Sequence, residues 1–126
     1  MAADAYLKTA ASNLQQAAAA VKQTADQIRA DAASFRQQAE RDMNSKQSEM
    51  MVKRQEMDHH KEDPRKAAEL MIIVQKLQKE IEELKQQLSQ NNSQAEQAAR
   101  SRESAMEKLA SQARGLESQA SDPSLR

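Results

Sequence analysis

The residues best suited to chemistry in this chain sit together: Glu56, Asp58, His59, His60, Glu62 and Asp63. Imidazoles and carboxylates are ligands that iron, manganese and zinc accept. Glu56-Met57-Asp58-His59 has the Glu-x-x-His spacing with which helix bundles hold a pair of metal ions. Such a site needs two copies of the motif and two further inward-facing glutamates. The chain holds one copy, so only a dimer that joins two of these stretches would complete it. A metal-binding helical bundle is a minor alternative. The plainer expectation is a solvated turn rich in charge, with no metal and no cofactor.

Other catalytic chemistry finds little to build on. One glycine, Gly115, cannot form a glycine-rich phosphate loop. No cysteine is present, so thiolate nucleophiles and disulfides are excluded. No serine stands in a nucleophile-elbow setting. General acid–base work needs carboxylates desolvated in a cleft, which a pair of helices does not offer. The expectation is a protein that is not an enzyme.

What would position the acid- and histidine-rich stretch is helical. Leu7, Leu14, Val21, Ile28 and Phe35 recur seven apart, and Ala11, Ala18, Ala25, Ala32 and Ala39 follow each by four. Apolar residues spaced alternately three and four apart form one stripe of a helix, which must be buried against another helix. Past Ala39 the large positions become Met43, Met50 and Met57, a stutter that locally unwinds a supercoil. Proline is disfavoured inside a helix but suits its first position, and Asp63 before Pro64 suits the N-cap. A second arm then carries Ala67, Val74, Ile81, Leu88, Ala95, Arg102, Leu109 and Leu116. Its companion seam runs Leu70, Leu77, Leu84, Asn91, Ala98, Ala105, Gln112 and Gln119, with Met106, Ala113 and Ala120 available through a one-residue drift.

Composition agrees. Charged residues make up 30%, aromatic residues 2%, and the chain has two prolines. Strands need β-branched and aromatic runs with glycine turns, and these are missing. The fold class expected is all-α: a long antiparallel two-helix coiled-coil hairpin, self-associating into a helical bundle. Arm one spans about 4–60, the turn about 59–64, arm two about 64–121, and 122–126 form a frayed tail, all in a single domain 1–126. Matching the stripes pairs Leu7 with Leu116, Leu14 with Leu109, Val21 with Arg102 and Ala18 with Ala105. The alternative has three helices with a break at 89–93, where Ser93 and Glu96 fit a capping box.

Lys plus Arg and Asp plus Glu are equal at 19 each, giving a formal net charge of zero. No cationic stripe stands out, so no nucleic-acid partner is expected. No apolar run approaches the roughly 20 residues of a membrane span. The stretch MAADAYLKTAAS lacks the basic start and apolar block of a signal peptide, and a cytoplasmic protein is expected.

Five of the seven methionines fall between residues 43 and 71. Leu70 to Val74 is an unbroken apolar run, so one partner helix cannot cover it all. Met50, Met51, Met57, Met71, Ile72 and Ile73 are therefore the candidate association residues. They are expected to make a homo-oligomer, a dimer being favoured. The alternative is an adaptor or chaperone-like hairpin whose Met- and Ile-rich tip binds another protein.

Overall fold

The computed structural model describes residues 2–120. Two helices account for nearly all of them, α1 (Ala2–His59) and α2 (Pro64–Ala120), packed against each other as an all-α helical hairpin. The expected tail at 122–126 and the expected end of arm two at 121 lie outside the described residues. Alanine, glutamine, glutamate, lysine and leucine all favour the helix, and neither helix carries an interior proline.

The turn follows from its residues. The His60 amide donates to the carbonyls of Glu56 and Met57, both at 3.1 Å, which closes α1. The Asp63 amide donates to His60 O at 3.0 Å. Asp63 then caps α2: its carboxylate accepts from the Lys66 amide at 3.2 Å, and its carbonyl accepts from the Ala67 amide at 3.0 Å. Pro64 follows at the first helical position, where its missing N–H costs nothing.

The three-helix alternative is corrected: α2 runs through 89–93 without a break. Leu88, Asn91 and Ala95 are all half-buried, so the stripe stays on one face across the gap. Asparagine's weaker helix propensity, a few tenths of a kcal/mol per residue, does not offset that shared face. The Asn91 Oδ1 is buried without a hydrogen-bond partner.

The described chain divides into two compact units. In the first, residues 2–31 pack with 94–120. Its buried residues are all alanines: Ala11, Ala18, Ala25, Ala99, Ala113 and Ala120. The larger residues of the stripe, Leu7, Leu14, Val21, Ile28, Leu109 and Leu116, are only half-buried. The expected pairing of Ala18 with Ala105 is corrected here. Ala105 is exposed, and Ala18 instead lines one depression with Met106 and Ala110. Arg102 is exposed too, its guanidinium donating to Ala98 O at 3.1 Å. The drift to Met106, Ala113 and Ala120 has already begun at Ala99, which is 0% exposed. The two four-residue steps from Asn91 to Ala95 to Ala99 are a stutter, and they rotate the buried face by one residue.

The second unit is residues 32–93. Here the large residues are the buried ones: Leu70, Val74, Leu77 and Ile81 are 3–6% exposed. Burying such side chains contributes about 1.5–3 kcal/mol each. Ala39 is the one buried residue that α1 supplies to this unit. Met43, Met50 and Met57 are half-buried, as are Lys46 and Lys53 between them. Those lysines fill the companion seam positions, laying their aliphatic stems along it with the charged heads outside. Phe35, expected within the stripe, is 38% exposed.

Candidate interaction surface

The sequence-predicted association residues separate into two groups. Met50 and Met57 lie in the seam and are half-buried. Met51 and Met71 are 63% and 43% exposed, and Ile72 and Ile73 are 66% and 37% exposed. Val52, half exposed beside Met51, joins them. Sequence reasoning passed over it because a lone valine beside two methionines carries no periodic signal.

Helix geometry explains the exposure. Successive residues turn by about 100° around the axis. Leu70 and Val74 face α1 from neighbouring turns, so Ile72 points directly away from it. Met71 and Ile73 leave to either side. One turn of α2 is therefore apolar around its whole circumference, while α1 covers a single face. Summed over both helices, the five exposed side chains leave on the order of 500 Å² of apolar surface in water, with Met71, Ile72 and Ile73 on α2 and Met51 and Val52 on α1.

Ionic contacts tie the helices within each unit. In the first, the Arg29 guanidinium reaches Glu96 at 3.3 Å and also Glu103, and the Arg100 Nε adds a bond to Glu96 at 3.0 Å. The hydrogen bonds that Arg29 donates to Glu103 and then to Glu96 hold its pKa above its ordinary value. The bond from Arg29 holds Glu96 below the usual carboxylate value, with Arg100 adding to it. Gln15 donates to Glu117 at 2.6 Å. In the second unit, the Lys46 ammonium meets Glu80 at 2.6 Å, raising the lysine pKa and lowering that of the glutamate. Every one of these groups is partly in water, so their role is alignment more than stability.

No protein-family model, curated protein or solved structure matches the chain. What the surface does must be read from its own residues.

The turn brings Asp58, His59, His60, Glu62 and Asp63 around one shallow depression, while Glu56 pairs with Lys53 on α1. Among the described residues, no three or more His, Asp or Glu side chains converge to hold a metal ion within one chain. Lys61 instead approaches Asp58 at 4.0 Å, and both are three-quarters exposed. The first unit carries an open depression of about 690 Å³ floored by Ala18, Ala19 and Ala110 and bordered by Gln15, Met106 and Arg114. Glu107 and Ser111 also line it, so its wall is half alanine and methionine and half polar. No described helix is long and apolar enough to cross a membrane.

Proposed function

We propose that the protein is a non-enzymatic structural and interaction protein that acts by helix packing and self-association. The observation that supports this most strongly is the apolar turn of α2 at Met71, Ile72 and Ile73, with Met51 and Val52 on α1, all left in water. Such a surface is stabilised by a second helical surface laid over it. The same reading takes the protein as cytoplasmic, with no nucleic-acid or membrane partner. It draws on the balanced charge and on the lack of a described helix able to cross a bilayer. Sedimentation velocity over a micromolar concentration series tests it. The expected result is a concentration-dependent oligomer, and a monomer throughout contradicts the proposal.

Met51 and Met71 favour a second reading. Methionine is unbranched and polarizable, and it suits surfaces that accept partners of varied shape. An adaptor or chaperone-like hairpin would use them to hold another protein. Under this reading Met51→Ser with Met71→Ser leaves helicity and self-association intact and abolishes partner capture. Loss of the fold or of the oligomer would instead make these residues structural.

A further inference from the structure

The exposed isoleucines do not stand alone. Taken around the axis of α2 from Ile72, Arg65 lies at about 20°, Lys76 at 40°, Glu69 at 60°, Glu80 at 80° and Ile73 at 100°. All six share a stripe about 100° wide, whose middle lies roughly 130° around α2 from the face that packs on α1. Arg65, Glu69 and Lys76 are exposed. Among the described residues, none of the three holds an ion pair within 4 Å inside the chain, while half-buried Glu80 is paired with Lys46 and also attracted by Lys76.

From Arg65 to Glu80 the order along this arc is plus, minus, apolar, apolar, plus, minus, and Glu83 follows beyond it at about 20°. The six-residue order is complementary to itself when reversed about the point between Ile72 and Ile73. Glu69 and Lys76 are equally far from that point, and so are Arg65 and Glu80. Two copies laid antiparallel would place each charge against its opposite, with isoleucine on isoleucine at the centre. Laid parallel, they would place like charge on like. A two-fold symmetric contact uses the same patch on both copies, which is the arrangement this pattern suits.

We propose that a second copy of this chain docks antiparallel on this stripe, forming a two-fold dimer. In it Ile72 and Ile73 are covered, Glu69 faces the partner's Lys76, and Arg65 faces the partner's Glu80. The inference rests on the self-association reading and names its surface. The apolar turn supplies the affinity, while the charges fix direction and register. Ile72 and Ile73 expose on the order of 200 Å² per copy, so even with the flanking charged stems the contact is smaller than a standard specific interface. The dimer is accordingly weak and reversible. Met71 lies about 100° from Ile72 on the side away from the stripe, outside the contact.

Sedimentation equilibrium on the full chain tests this with charge reversals at exposed positions, with circular dichroism as a control for helicity. Glu69→Lys sets lysine against the partner's Lys76, and Lys76→Glu sets glutamate against the partner's Glu69. Each single variant is expected to weaken the dimer at least tenfold, because a two-fold contact suffers every change twice. The double variant Glu69→Lys/Lys76→Glu restores opposite charges and is expected to return to within about threefold of the parent. An equimolar mixture of the two single variants is expected to dimerise like the parent. A dimer insensitive to the single reversals overturns this surface and leaves self-association to another face. A wild type that stays monomeric at hundreds of micromolar overturns the surface and the self-association reading together, leaving the stripe to a different protein.

Discussion

The two units are built from the same two helices and bury opposite kinds of residue. Residues 2–31 with 94–120 enclose alanines completely and leave leucine, valine and isoleucine half-covered. Residues 32–93 enclose Leu70, Val74, Leu77 and Ile81 and place methionine and lysine stems opposite them. The difference lies in where a large side chain can go. Alanines facing inward from both helices favour close backbones, and a leucine beside them must lean out to the flank. Where α1 offers flexible methionines, the large residues of α2 fit between the helices. The alanine unit uses its own apolar atoms as flanking cover. The methionine unit leaves a whole turn of α2 for something else to cover.

The contrast is sharpest for leucine. Leu77→Ala removes an enclosed side chain and is expected to cost about 3 kcal/mol, while Leu14→Ala removes a half-covered one and is expected to cost about 1 kcal/mol. Urea unfolding of both variants measures the gap, and equal losses would erase the distinction. The converse change probes the alanine unit. Ala25 is 0% exposed, so Ala25→Leu is expected to cost about 2 kcal/mol through overpacking. A neutral Ala25→Leu, seen as an unchanged urea midpoint, would show that those backbones are not close.

Asn91 carries the opposite sign. Its Oδ1 is buried without a partner, so Asn91→Leu is expected to stabilise the chain by about 1 kcal/mol. A seam asparagine also restricts which pairings are tolerated, so the same variant is expected to broaden the range of oligomers seen by sedimentation. A lower melting temperature for Asn91→Leu would mean that the polar group has a partner after all.

The smallest effect is that of pH. Glu80 and Glu96 have folded pKa values held below the ordinary 4.5 by Lys46 and Arg29. Their contribution is complete above 4.5 and is lost as pH falls through the depressed values. Lys46 works the other way: its raised pKa keeps its contribution complete below 10.5 and loses it only at higher pH. The Glu80→Gln/Glu96→Gln variant is expected to lose slightly less stability than the parent between pH 7 and pH 3. Identical acid profiles in urea titrations would show that these pairs align the helices without stabilising them.

Much of this was legible in the sequence because a stripe of sevens has one physical reading. Leu7 to Phe35 demanded a partner helix, and Asp63-Pro64 demanded a new start. What escaped were positions where residue type hides the role. Lys46 and Lys53 count as polar, yet their stems lie in the seam. Ala98 and Ala99 are the same residue, so nothing in the pattern marks which of them turns inward. Cross-helix pairing was the weakest inference, because two series of sevens match at several offsets. The exposure of Ala105 and the burial of Ala99 and Ala113 decided what periodicity left open.

The uncovered turn of α2 is the surface on which self-association depends. The mass of the full chain in solution, compared with that of Ile72→Gln/Ile73→Gln, tests this most directly. At tens to hundreds of micromolar the parent is expected to move from 14.1 kDa toward twice that mass. The double variant, equally helical, is expected to stay at the monomer mass. A parent that remains a monomer across the range, or a variant that dimerises as well as the parent, would contradict the account.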